Sequence, residues 1–331
     1  MSRPTAVFLD TSILAGQQYN FESTALSTFI PAAKKRSVKF LLPDPTEREI
    51  LRQIKERSEE ALKALEDARR QAPFLAKWKH YPAKASPMVG WEVAKIANWE
   101  WNAFLANFDL VKLGYEGVKV DKVMAWYSSA TPPFREGKKR KEFPDAFAVA
   151  ILAGYAKKND CPVAVVSADK DFKLACDRFT NLFYFESLPA LTELLLTDDD
   201  RIEQLRNSIL ADASAIEASV LASDNFNFYH DDGELEIRDS SLLVATISNL
   251  RIVALGSGEA TITFDADIEG EYKLEDSATG EDEWVSETFS IGCTAKVGID
   301  LKSNKVTEII SIDHDQSITL REQPRSRQWM D

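Results

Sequence analysis

Residues 143–160, FPDAFAVAILAGYAKKND, lead within two residues into residues 163–172, VAVVSADKDF. Proline suits a first helical position because its missing N–H would be unpaired there anyway, so the spacing predicts a helix opening at Pro144. The segment is apolar nearly all round from Ala146 to Ala156, which predicts a buried helix. Val163 to Val166 then reads as a short buried strand. Asp145 stands at the mouth of the helix, and Asp169 and Asp171 follow the strand. Carboxylates at the edge of a buried core need a cation or several donors, or they neutralise.

Upstream, Ala6 to Leu9 is a second compact apolar run, and it ends in Asp10-Thr11-Ser12. Ligand sites of open α/β sheets lie outside the carboxyl ends of the strands, so Asp10 is a candidate site residue. The plainer role for it is a helix N-cap. Residues 22–35 read as a helix and Lys39 to Leu42 as a further strand. In LPDPTEREI, residues 42–50, Asp44 is a good N-cap, Pro45 takes the first helical position and Glu47 completes a capping box. That gives Glu47 a structural task and leaves Glu49 as the better ligand candidate. Ile50, Leu51, Ile54, Ala61, Leu62 and Leu65 form the expected buried stripe of this long helix.

Residues 71–134 read as a helical insertion capping one edge of the sheet, with helical spacing over 91–108 and again over 116–127. Trp78, Trp91, Trp99 and Trp101 fall in it, and aromatics at such spacing are more often core than a base-stacking platform. A basic run follows: Arg135, Lys138, Lys139, Arg140 and Lys141. Charge runs are commonly solvated loops, but this one lies a few residues ahead of Asp145, which makes it a candidate phosphate-binding segment.

Beyond the central stretch a helix is expected over 173–179, a strand over 181–185 and a closing helix over 188–196. Strands alternating with helices imply a mostly parallel, doubly wound α/β sheet for residues 1–197. Asp198-Asp199-Asp200 marks a boundary, and residues 198–222 read as one amphipathic linker helix. From Phe226 the hydrophobic period changes to two. Ile262, Phe264, Ala266, Ile268, Tyr272 and Leu274 share one face, as do Phe289, Ile291, Cys293, Ala295, Val297 and Ile299. Residues 223–322 therefore read as an antiparallel β domain with one wet face, and 323–331 as a tail. Separate strands are expected at 234–238, 242–247, 251–255 and 305–312.

Net charge over the 331 residues is −13. That argues against broad attraction to polyphosphate and points to a local basic patch for any nucleic-acid contact. Cys161, Cys176 and Cys293 lack metal-ligand spacing, and reduced thiols are expected. No apolar run approaches the roughly 18–20 residues of a membrane span, and no signal-peptide pattern precedes the first strand, so a cytoplasmic location without membrane contact is expected.

Taken together, VFLDTSIL (7–14), LPDPTEREI (42–50), EFPDAFAVAIL (142–152) and VVSADKDF (165–172) resemble, in that order, the PIN-domain family of metal-dependent nucleases, in a subgroup with a helical insertion. The resemblance covers roughly residues 5–197. It implies a doubly wound parallel sheet, with Asp10, Glu49, Asp145 and Asp169 as catalytic carboxylates. These, with Asp171, would be ligands to Mg²⁺ or Mn²⁺. Thr11, Ser12 and Ser167 would orient them. The implied activity is endoribonuclease hydrolysis, with RNA as partner, possible roles as toxin or defence effector, and a β domain that docks a protein or self-associates. A structure-specific DNA nuclease and a non-catalytic binding protein retaining the fold stay open. A phosphatase with Asp10 as nucleophile would want a second aspartate where Ser12 stands.

Overall fold

A computed structural model describes residues 3–71, 90–135, 143–196, 200–211, 213–223, 226–231, 235–256, 258–276, 280–300, 303, 305–314 and 318–321. The chain divides into two compact units, Met1–Leu195 and Leu196–Asp331. Their charges differ in sign. The first carries 29 Lys and Arg against 24 Asp and Glu, a net +5, and the second 11 against 29, a net −18.

The first unit runs β1 (Ala6–Leu9), α1 (Thr11–Gly16), α2 (Thr24–Lys35), β2 (Lys39–Pro43), α3 (Asp44–Gln71), α4 (Gly90–Leu105), β3 (Asp109–Leu113), α5 (Val120–Ser128), α6 (Phe143–Asn159), β4 (Val163–Val166), α7 (Lys170–Cys176), β5 (Leu182–Phe185) and α8 (Leu188–Leu196). Among the described residues the five strands form one parallel sheet in the order β3-β2-β1-β4-β5. Every residue of β1 and β4 is buried, as both strands are central and covered by helices on both faces. Phe8 of β1 stacks on Phe172 of α7, and Val149 and Leu152 of α6 join the same core. The strand order reverses between β1 and β4, which opens a crevice at their carboxyl ends.

Residues 71–134 hold more than the expected helices. Asp109–Leu113 is a sheet strand, paired in register with Lys39–Pro43. It escapes a pattern search because it is an edge strand of five residues with no buried side chain. Phe104 and Phe108, just ahead of it, pack on Phe40 with ring centroids 5.9 and 5.1 Å away. The stripe of α3 is also narrower than expected. Ile50 and Ile54 are buried, but Leu51 and Ala61 are exposed. Glu47 makes no capping box: its carboxylate accepts from Lys112 on β3, a charged partner in place of a backbone amide. Lys138, Lys139, Arg140 and Lys141, Trp78, and residues 323–331 lie outside the described residues.

The second unit comprises α9 (Asp200–Ala211), α10 (Ser214–Leu221), β6 (Phe228–His230), β7 (Leu235–Leu255), β8 (Glu259–Asp276), β9 (Asp282–Asp300), β10 (Lys305–Asp313) and β11 (Ile318–Leu320). The antiparallel sheet has the order β10-β9-β8-β7, and β6 and β11 pair separately in parallel. The alternating face read from the sequence is the buried one, with Ile262, Phe264, Ala266, Ile268, Tyr272 and Leu274 all in the core. Two expectations are corrected. The strands at 234–238, 242–247 and 251–255 are one strand, β7, whose register shifts mimic breaks in the period. The linker helix is two helices, α9 and α10, and Ile202, Leu205, Ile209, Ile216 and Val220 belong to the core of this unit. No helix among the described residues is long and apolar enough to cross a membrane.

Candidate active site

Asp10 follows β1 directly and is buried. Three donors converge on its Oδ2: the Ser12 amide at 3.3 Å, the Ser12 hydroxyl, and the Ser167 hydroxyl at 2.8 Å. The plainer role holds as well, since Asp10 is the N-cap of α1. Ser12 and Ser167 also stitch the two strand ends together. The Ala168 amide donates to Ser12 Oγ at 3.1 Å, and the Asp169 amide donates to Ser167 Oγ at 3.0 Å. Burial pushes the Asp10 carboxyl above the usual carboxylate range. The groups that offset the rise are hydroxyl and amide donors from Ser12, Ser167 and Thr11, not cations.

Glu49, in the second turn of α3, is half-buried and also raised. Burial is the main cause, the Gln53 amide pulls it back, the charge on Asp10 adds to the rise, and Arg52 offsets it in part. The coupling of Glu49 to Asp10 brings the carboxyl ends of β1 and β2 into one electrostatic site. A short relay fixes Glu49. Tyr19 donates to Gln53 Oε1 at 2.7 Å, and Gln53 Nε2 donates to Glu49 Oε1 at 2.9 Å. Burial is the first cause of a Tyr19 hydroxyl pushed up to about 12, with Arg57 opposing it and Glu49 and Asp10 among the groups that add to it.

Asp169 caps α7, accepting from the Asp171 amide at 2.8 Å, so this helix starts three residues earlier than its apolar pattern suggests. Tyr184 of β5 donates to the Ser167 carbonyl at 2.7 Å, and its hydroxyl is raised by burial, then by Glu186, Asp169, Cys176 and Asp10. Asp10 and Asp169 thus act on one phenol. Asp145, in the first turn of α6, lines a cavity of about 500 Å³ with Glu49. Arg48, Arg52, Tyr115, Phe143 and Phe147 form much of its remaining wall. Asp171 pairs with a cation from a distant part of the chain. It is buried and ion-paired with Arg135, which was expected to face nucleic acid.

The PIN-domain family model matches residues 7–172 of the chain, half its length, and spans all five carboxylates. The chain belongs to the PIN-domain family. PIN domains are generally nucleases and typically use divalent metals. No curated protein and no solved structure matches the chain. In this PIN domain Asp10 directly follows β1, Glu49 lies in the second turn of the helix after β2, and Asp169 caps the helix after β4. Among its described residues, no three His, Cys, Asp or Glu side chains converge as a ligand set for a single ion. The donor set nevertheless suits a hard dication. It is all oxygen, Asp10 and Glu49 are both partly desolvated, and the charge on Asp10 adds to the cost of ionising Glu49. Mg²⁺ in particular keeps several waters and needs only one or two direct carboxylates. Of the residues the sequence missed, Gln53 was legible as the i+4 neighbour of Glu49 on a helix. Tyr19 and Tyr184 come from other elements and left no local signal.

Proposed function

We propose that the chain is a Mg²⁺- or Mn²⁺-dependent endoribonuclease acting on single-stranded RNA. The observation that carries this reading is the cavity where Glu49 and Asp145 face a wall built from Tyr115, Phe143 and Phe147, with Arg48 and Arg52 beside them. Unstacked bases lie well on aromatic rings and backbone phosphates on arginines, whereas a duplex offers no free base faces. Asp10, Glu49, Asp145 and Asp169 would hold the metal, which when bound neutralises charge at the scissile phosphate and makes water a competent nucleophile near neutral pH. Ser12 and Ser167 hold the Asp10 carboxylate in place. The Tyr19–Gln53 pair holds that of Glu49. The segment Lys138 to Lys141 is assigned to the phosphates of the flanking strand. Arg135 is assigned to its ion pair with Asp171. The second unit, at net −18, repels RNA and is assigned to a protein partner or self-association.

The test is cleavage of matched single-stranded RNA, single-stranded DNA and DNA flaps with Mn²⁺, for the wild-type chain and for Asp145→Asn and Asp10→Asn. RNA cleavage lost in both variants is the expected result. Preference for DNA flaps would transfer the site to a DNA nuclease. Saturable metal binding without cleavage of any substrate would make the chain a non-catalytic binding protein.

A further inference from the structure

A second cavity in the first unit, about 550 Å³, is bounded by α5, α6 and the turn into β5. Small-molecule sites span roughly 300–1,000 Å³. It is separate from the carboxylate site. Asp145 lies in the first turn of α6 and Lys157 in the last, so a rise of 1.5 Å per residue puts them about 18 Å apart along the helix.

Three observations point to its occupant. First, its lining includes Lys119, Lys122, Lys157 and Arg178 and no Asp or Glu. Among the described residues no ion pair joins any of these four to a carboxylate. Clustered like charges repel, so a cation-only rim around one cavity suits an anion. Second, one of the four is fixed in place. The Arg178 guanidinium donates to the Pro132 carbonyl at 2.7 Å and lies 4.3 Å over the Trp126 ring. Held this way, its remaining donors need little further ordering to receive a planar or phosphate oxygen. Third, Gly154 lies inside α6, where glycine weakens a helix relative to alanine. A Cβ built there meets no atom within 4 Å, so the protein's own packing does not call for glycine. The space above it is part of the cavity.

We propose that this cavity binds a nucleoside phosphate, with the phosphate among the four cations and the nucleoside over the open floor at Gly154. Inorganic phosphate would leave that floor empty, and an apolar ligand would leave the cations unanswered. The ligand has two possible sources, a free mononucleotide or the 5′-phosphorylated end of an RNA strand. The proposal does not rest on the nuclease reading.

The experiment is calorimetric titration of the full chain in EDTA. The probes are AMP, UMP, adenosine, inorganic phosphate, and a short RNA with either a 5′-phosphate or a 5′-hydroxyl. A nucleotide should bind at least about tenfold more tightly than either adenosine or inorganic phosphate. Lys122→Glu should weaken that binding about tenfold, as should Gly154→Ala, which should also raise the melting temperature because alanine favours the helix. Tighter binding of the 5′-phosphorylated RNA than of AMP and of the 5′-hydroxyl RNA assigns the cavity to strand ends, and the reverse assigns it to free nucleotides. Either order supports the proposal. No saturable binding of any phosphorylated probe overturns it, as does binding that neither substitution changes.

Discussion

Ser167→Ala removes one buried oxygen that serves two partners. Its Oγ donates to Asp10 Oδ2 at 2.8 Å and accepts from the Asp169 amide at 3.0 Å. A hydrogen bond between neutral groups contributes about 1 kcal/mol net, and one to a charged group about 1.5–3 kcal/mol. When Asp10 is protonated, loss of both bonds should cost about 2 kcal/mol; when it is ionised, about 2.5–4 kcal/mol. The sign follows from linkage. Burial raises the Asp10 carboxyl and the Ser167 hydroxyl lowers it, so the substitution raises it further in the folded state only. The folded variant then holds its proton to higher pH than the folded wild type. Its extra destabilisation is therefore smallest at acid pH and grows as the pH climbs through the raised Asp10 value. The assay is urea unfolding in EDTA at several pH values, followed by tryptophan fluorescence, since Trp101 is buried in the first unit. A cost that stays constant across the series would refute the reasoning, because Ser167 would then not be bonded to an ionising Asp10.

Other outcomes follow from the same geometry. Gln53→Leu breaks the relay from Tyr19 to Glu49 and removes a donor that lowers the Glu49 carboxyl, so Mn²⁺ affinity by calorimetry should fall about 10–100-fold. Asp10 and Glu49 are both raised, so the metal-free folded chain keeps protons that the unfolded chain releases. Its stability should decline as pH rises from the ordinary carboxylate range through the raised values, and an Asp10→Asn, Glu49→Gln variant should show a flatter dependence of melting temperature on pH. Mn²⁺ binding should release protons and tighten over that same rise in pH, measurable by titration in buffers of different ionisation enthalpy. Phe8→Ala, which empties a fully buried site stacked on Phe172, should cost about 3–5 kcal/mol by chemical denaturation.

What the sequence made legible is what a local pattern can encode. A parallel sheet buried on both faces leaves uniform apolar runs, so β1 and β4 stand out, and the acids that end them follow at once. An antiparallel sheet with one wet face leaves alternation, so the buried side chains of β8 were readable one by one. The edge strand β3 left neither mark, being short and half-exposed. Arg135 is instructive in the same way. Placed in a basic run, it reads as a phosphate contact, yet its partner Asp171 lies 36 residues downstream and buried, where only the tertiary fold can bring the two together. Bulges had the opposite effect on β7, breaking one strand into three apparent ones.

Net charge needs the same local treatment. A total of −13 argues against polyphosphate binding only if a phosphate feels the whole chain at once. At physiological ionic strength charges are screened over about 8 Å, a fraction of the span of either unit. The unit that carries the carboxylate site is the one in which basic residues outnumber acidic ones, 29 against 24. The acidic total reports the second unit's composition and says little about the surface that holds Asp10, Glu49 and Asp145. Divided by unit, net charge does not disfavour nucleic acid at the first unit. The carboxylates themselves then stand as the main electrostatic obstacle to a phosphate at the site, and a dication held among them is what would remove it.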